Sequence, residues 1–236
     1  MGRPVNQGYS NKAERRESAR KERHNKKQKS GYGEVVPFQR SQPKPIQYLT
    51  ERQRIFGSLI LANDCTFAMG VAGSGKSHVP LALGVNAILA GDAKHLILTK
   101  PSFEVDEELG ILPGGIMEKL EQQFKPMFVI LKKLLGGQSQ LESWVKSEKI
   151  IAEPLGSVVG NTYDDAYIVI DEAQNTTPNQ MKAILTRTGQ RSKVIVCGDV
   201  KEQRYKSGCN GMDDALWRLQ GETGVAVVEF TEDDIV

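Results

Sequence analysis

A glycine-rich octapeptide sets the strongest limit on the fold of this chain. It runs Gly70-Val71-Ala72-Gly73-Ser74-Gly75-Lys76-Ser77 and fits the pattern GxxxxGK[ST] at every position. The apolar run CTFAMG (65–70) leads into it, and the helical pattern HVPLALGVNAILAG (78–91) follows. The motif binds phosphate groups in this strand–turn–helix context, which makes a chance glycine-rich turn the weaker interpretation.

The residue types in this loop suit a nucleoside triphosphate. Glycines let the main chain curl so that successive N–H groups face the phosphates, and the following helix N-terminus adds positive potential. Lys76 supplies an ammonium group for the β- and γ-phosphates, and the Ser77 hydroxyl is a natural Mg²⁺ ligand. We therefore predict that ATP and Mg²⁺ bind here, with residues Gly70 to Ser77 and the main chain of His78 around the phosphates.

An apolar strand that ends in two acids supplies the expected partner of the loop. Tyr167-Ile168-Val169-Ile170 is followed directly by Asp171 and Glu172. We expect this strand to lie in the sheet beside the phosphate loop, with Asp171 reaching Mg²⁺ and Glu172 polarising a water toward the γ-phosphate. The alternative is a helix start, where carboxylates are also favourable. Glu172 favours hydrolysis over phosphoryl transfer, because a hydrolase must orient water.

A third apolar strand ends in polar residues at the same predicted edge. KVIVCG (193–198) leads to Asp199, and the pair Glu202-Gln203 follows shortly after. Asp199 and Gln203 are therefore candidate sensors of the γ-phosphate. The alternative is an ordinary strand-to-loop turn, because Gly-Asp is a good turn former.

Short apolar runs alternate with helical patterns along the chain. Runs rich in β-branched residues and separated by helices are typical of parallel strands covered on both faces. We therefore expect an α/β fold, a doubly wound and mostly parallel sheet with helices on both faces. The predicted strands are CTFAMG (65–70), HLILTK (95–100), IIAEPL (150–155), AYIVID (166–171), KVIVCGD (193–199) and VAVVEF (225–230).

Residues 1–44 differ in composition from the rest of the chain. The first 30 residues hold ten Lys or Arg against three Glu, a net charge of +7, and the whole chain has a net charge of +2. This stretch has too few apolar residues to offset the entropy of ordering. We predict a disordered basic tail over 1–44 and a globular domain over 45–236. The tail is either an arm that binds nucleic-acid phosphates or a segment that keeps the protein soluble.

Composition also argues against other classes of protein. No uninterrupted apolar run is long enough to cross a bilayer, so we expect no membrane partner. The three cysteines are widely spaced without a CxxC pair, which favours reduced thiols and a cytoplasmic location. The three histidines lack metal-ligand spacing with cysteine, so we predict no zinc site.

With these motifs placed, the chain resembles the PhoH family of P-loop ATPases, which are similar to the N-terminal core of superfamily 1 helicases. The resemblance runs from about Pro45 to Val236. Its most specific stretches are ELGILPGG (108–115) and DEAQNTTPNQM (171–181). It continues through SKVIVCGD (192–199) and VAVVEFTEDDIV (225–236).

The resemblance implies several further properties. It implies a RecA-like P-loop NTPase fold, ATP hydrolysis, association with RNA or single-stranded DNA, and a homo-oligomer such as a hexameric ring. It also implies that Gln53 contacts the adenine edge, as in the helicase Q-motif. For an arginine finger that completes a site, Arg187 is the first candidate and Arg204 the second. Arg187 could equally be a solvated cation at a helix end.

Three functions remain open from the sequence. The first is an ATPase coupled to nucleic acid, and the second is a nucleotide-dependent switch or assembly protein without motor activity. The third is a small-molecule kinase, which Glu172 and the lack of an obvious acceptor-binding lid make the weakest. With one P-loop core in the sequence, we expect strand separation to require oligomerisation or a partner.

Overall fold

The computed structural model describes residues 42–101, 122–199 and 209–236. The described residues form a six-stranded sheet in the order β3-β2-β4-β5-β1-β6, and every pair of neighbouring strands is parallel. This confirms the predicted α/β fold. The strands are β1 (Cys65–Gly70), β2 (His95–Lys100), β3 (Ile150–Pro154), β4 (Ala166–Ile170), β5 (Lys193–Gly198) and β6 (Val225–Phe230).

Helices flank the strands, and some of the described helices begin at side-chain caps. The Thr50 side chain accepts a hydrogen bond from the Gln53 N–H at the start of α1, and Thr177 forms a capping box with Gln180 at the start of α6. In the described ranges no helix is both long and apolar enough to span a membrane. The helices are α1 (Glu51–Ala62), α2 (His78–Ala90), α3 (Lys125–Leu135), α4 (Gln138–Lys146), α5 (Leu155–Val158), α6 (Pro178–Leu185) and α7 (Gly211–Leu219).

Alternation along the strands builds a core on each face of the sheet. In β4, Tyr167 and Val169 belong to one buried cluster, and Ile168 and Ile170 belong to the other. The first cluster packs against α1 to α4, and the second packs against α5 to α7. Helices therefore cover both faces, and the polar groups of the site are left at the carboxyl edge of the strands.

The order of the strands adds a detail that the sequence left open. The acidic strand β4 does not neighbour the phosphate-loop strand β1, because β5 pairs with both of them. Sequence order cannot reveal such an insertion, since β5 comes last of the three along the chain. This order puts the carboxyl ends of β1, β5 and β4 side by side at one edge of the sheet.

Candidate functional site

The loop after β1 has the backbone that its glycines allow. Gly70, Gly73 and Gly75 have φ angles of 122°, 81° and 85°, in the region that favours glycine. At Gly70 a Cβ atom would also overlap the carbonyl oxygen of Phe230 in the neighbouring strand β6. The loop shape is thus fixed both by its own residues and by the strand beside it.

Main-chain donors and one ammonium group make this loop suitable for phosphate. The N–H groups of Gly73, Ser74 and Gly75 donate no hydrogen bond to any residue that the structure describes. Successive donors at a helix N-terminus form an anion-binding concavity. The Lys76 ammonium donates to the carbonyl oxygens of Gly70 and Val71, which keeps its charge at the same loop.

One hydrogen bond joins the phosphate loop to the acidic strand across β5. The Ser77 hydroxyl donates to Oδ1 of Asp171 over 3.2 Å. Burial raises the pKa of Asp171, and the charge of Glu172 raises it further. A cation at this position would offset both effects. A hydroxyl beside a carboxylate, with room for water, fits Mg²⁺, which prefers oxygen ligands and retains several waters.

Glu172 follows Asp171 in an unusual conformation that an amide supports. Its φ and ψ are 55° and 35°, in the left-handed region. The Gln174 Nε2 group donates to Oε2 of Glu172 over 2.8 Å, and the main-chain N–H of Asp199 donates to Gln174 Oε1 over 3.1 Å. Glu172 is an exposed residue, whereas Gln174 is buried. The predicted water-activating acid, Glu172, is therefore accessible to solvent, while the Gln174 amide holds one of its carboxylate oxygens.

A cavity of about 430 Å³ brings these groups together. Most of its polar lining consists of residues predicted for the nucleotide site, and Asp199 also lies in its wall. The role of Asp199 as a γ-phosphate sensor stays a prediction. Pro126 and Ile130 of α3 add an apolar side. The remaining lining residues are Ala72, Gly73, Gly75, Lys76, Ser77, His78, Asp171, Glu172, Gln174 and Gly198.

The structure places Gln53 behind the phosphate loop. Its side chain is 2% exposed, its Nε2 donates to the Ser74 carbonyl over 3.1 Å, and its Oε1 accepts from the Leu49 N–H over 2.9 Å. A Cβ atom on Gly75 would lie 2.5 Å from Gln53 Nε2. These contacts brace the loop, and the adenine contact of Gln53 stays a prediction.

The segment after β6 braces the loop from another side. The Val236 N–H donates to the Gly73 carbonyl over 3.2 Å, and the Ile235 side chain lies beside Gly73. Asp234 accepts a hydrogen bond from the Thr231 N–H over 2.9 Å, which fixes the turn that brings this segment back. Main-chain carbonyls of two successive loop residues, Gly73 and Ser74, are thus held from outside the motif.

His78 begins α2 and lines the cavity. Its main-chain N–H donates a hydrogen bond to the Gly75 carbonyl over 3.0 Å. This donor therefore already has a partner within the loop, and its contact with a phosphate stays a prediction. Burial lowers the pKa of His78, and the nearby charge of Lys133 lowers it further. Both effects favour the neutral imidazole beside the site.

The candidate arginine finger lies away from the site of its own chain. Arg187 is exposed and precedes Thr188, which bridges Tyr163 just before β4 begins. Asp171 follows the other end of β4, and five strand residues span about 16 Å. Arg187 is therefore at the amino edge of the sheet. Gln203 and Arg204 lie outside the described residues.

Comparison with known proteins identifies the family. The model of the PhoH-like protein family matches residues 45–236 of this chain. The chain belongs to the PhoH-like protein family. A PhoH-like protein from Bacillus subtilis is 38% identical over 194 residues, covering 82% of this chain and 60% of the relative. Protein PhoH from Escherichia coli K12 is 36% identical over 195 residues, covering 81% of this chain and 55% of the relative.

The chain therefore spans a little over half the length of these PhoH-like relatives. Two solved structures resemble it more remotely. The Sulfolobus solfataricus SWI2/SNF2 ATPase core in complex with dsDNA matches with a TM-score of 0.49 at 16% identity, covering 84% of this chain and 49% of that one. The Pyrococcus furiosus Hef helicase domain matches with a TM-score of 0.41 at 13% identity, covering 77% and 37%.

Sequence reasoning missed several residues of the site. Gln174 belongs to the DEAQN string, but nothing in the string alone says that its amide reaches the end of β5. Pro126 and Ile130 carry no signal, because a proline and an isoleucine in a helical pattern look like ordinary packing residues. Val236 acts through its main chain, which no side-chain pattern reports.

We predict that Gln53→Glu destabilises the fold even without nucleotide. The substitution removes the donor to the Ser74 carbonyl and buries a carboxylate against it, which should cost about 1–3 kcal/mol of unfolding free energy. Urea unfolding measures this cost. Gln47→Glu, at an exposed position, serves as the control and should leave the midpoint unchanged. An unaltered midpoint for Gln53→Glu would contradict the bracing role.

Proposed function

We propose that this chain binds ATP with Mg²⁺ and hydrolyses it, in a reaction coupled to RNA or single-stranded DNA. The observation that carries the hydrolytic part is the Ser77–Asp171 hydrogen bond, which brings the phosphate loop and Glu172 into one cavity. Family membership supports nucleotide binding. A nucleotide-dependent switch without motor activity is the competing outcome of the tests below.

The chemistry follows from the groups around the cavity. The loop N–H groups and Lys76 bind the phosphate oxygens and stabilise charge that builds up during transfer. Ser77 and Asp171 would hold Mg²⁺, which neutralises phosphate charge when bound. Glu172 orients a water molecule and takes its proton while the water oxygen attacks the γ-phosphorus. The bond from phosphorus to the β–γ bridging oxygen breaks, which leaves ADP and phosphate.

The coupling to nucleic acid is supported by charge. The first 30 residues carry a net charge of +7, and such a basic segment attracts a phosphate backbone in a salt-dependent way. The domain that follows has a net negative charge, so on balance it contributes little attraction of its own. We therefore assign nucleic-acid affinity to the tail.

Assembly into a homo-oligomeric ring is part of the proposal. Arg187 is exposed at the amino edge of the sheet, remote from the cavity of its own chain. An arginine in that position can complete a site only in a neighbouring subunit. Ring formation would thus give Arg187 a role that a monomer cannot.

We predict that Lys76→Ala abolishes nucleotide binding. The substitution removes the side-chain cation of the loop, and we expect ATP affinity to fall by about a hundredfold or more because charged phosphate contacts are strong. Isothermal titration with Mg²⁺ present measures the change. Lys146→Ala on the exposed side of α4 is the control and should bind as the parent does.

We predict that Glu172→Gln retains ATP but stops turnover. The amide keeps the size of the side chain and cannot take a proton, so hydrolysis should fall by about a hundredfold or more while affinity changes by less than about threefold. Phosphate release and nucleotide titration measure the two quantities. Glu222→Gln, at an exposed position, is the matched control. Turnover at the parental rate would rule out Glu172 as the base.

We predict that single-stranded RNA or DNA raises ATP turnover at least several-fold. Turnover should be measured at low salt for the full chain and for a chain lacking residues 1–30, with the oligomeric mass of each sample determined. Deletion should weaken binding and flatten its salt dependence, because phosphate contacts are lost. Unchanged affinity after deletion would refute the role of the tail, and no stimulation by any nucleic acid would favour the switch.

A further inference from the structure

A buried amide connects the water-activating acid to the neighbouring strand. We infer that Gln174 is a positioning residue that orients the Glu172 carboxylate by tying it to the main chain at the end of β5. The inference deepens the proposed function and rests on it, because it assigns a role within the same hydrolytic site. The contacts that the Gln174 side chain makes support this inference.

The side-chain amide of Gln174 donates one hydrogen bond and accepts another. Its Nε2 donates to Oε2 of Glu172 over 2.8 Å, and its Oε1 accepts from the Asp199 N–H over 3.1 Å. The side chain is 2% exposed and lies in the wall of the cavity. A carboxamide is suited to this place because it donates and accepts at once and carries no charge.

The position of the amide is closely fixed by β5. A Cβ atom on Gly198 would lie 2.7 Å from Gln174 Oε1 and 2.7 Å from the Met212 sulfur. The absence of a side chain at Gly198 therefore makes room for the amide, and the Met212 sulfur of α7 lies beside the same space. The amide cannot shift far without losing one of its two partners.

Glu172 needs such support because of its conformation. A non-glycine residue in the left-handed region is strained, and that conformation persists when its surroundings hold it there. Glu172 is exposed, so solvent alone would leave its carboxylate free to change rotamer. The bond from Gln174 holds one carboxylate oxygen and leaves the other for water. A displacement of the end of β5 would move the carboxylate through the same side chain.

Two substitutions separate this role from plain structural support. Gln174→Glu keeps an acceptor for the Asp199 N–H and loses the donor to Glu172, whereas Gln174→Met loses both. Gln138→Glu is the matched control, since Gln138 Nε2 donates to Glu142 Oε1 over 3.0 Å on the exposed surface of α4. Steady-state turnover, ATP affinity and melting temperature are measured for each full-length variant.

We expect both Gln174 variants to lower kcat by about tenfold or more, with ATP affinity within about threefold of the parent. Gln174→Glu should melt within a few degrees of the parent, and Gln138→Glu should leave kcat unchanged. A kcat within about twofold of the parent for both variants would overturn the inference. A loss of affinity as large as the loss of kcat in both would also overturn it, because that pattern marks general damage to the site.

A double-mutant cycle distinguishes an effect that acts through Glu172 from general structural support of the site. If Gln174 acts through Glu172, adding Gln174→Glu to Glu172→Gln should change the residual single-turnover rate by less than about twofold. Losses that multiply in the double variant would overturn the inference while leaving ATP hydrolysis by the parent intact. Failure of the proposed function looks different: the parental chain itself would show no Mg²⁺-dependent hydrolysis, and the inference would fall with it.

Discussion

The hydrogen bond between Ser77 and Asp171 is the contact on which the site depends. It links the start of α2 to the end of β4 across the intervening strand β5. Parallel pairing of the three strands brings their carboxyl ends to one edge, so a loop and an acid that are 94 residues apart come within 3.2 Å. A phosphate-binding loop without that partner would lack a carboxylate ligand for a magnesium ion.

The charges of this site complement those of the nucleotide and the metal ion that we propose for it. The loop offers main-chain donors and the Lys76 ammonium, and the acidic strand offers two adjacent carboxylates. Burial raises the pKa of Asp171, and the charge of Glu172 raises it further, so the ionised form of Asp171 is costly without a cation. Bound Mg²⁺ would lower that cost, and bound phosphates would accept hydrogen bonds from the N–H groups of the loop.

Residues outside the phosphate loop and the acidic pair Asp171-Glu172 hold those two features in shape. Gln53 and Val236 bond to successive carbonyls of the phosphate loop, and Gln174 bonds to Glu172. Each of these partners lies on a different element, namely α1, the segment after β6, and the turn after β4. Support of this kind keeps reactive groups close to a productive geometry before substrate arrives.

The sequence alone determined the parallel α/β class, the phosphate loop and the acidic pair, because these features depend on local patterns of glycine, apolar and charged residues. It could not determine that β5 lies between β1 and β4, that Arg187 falls at the far edge of the sheet, or that Gln174 reaches Asp199. Those facts depend on which strands pair and how closely their ends approach. Pairing is decided by burial on both faces of the whole sheet, and no local stretch of sequence contains that information.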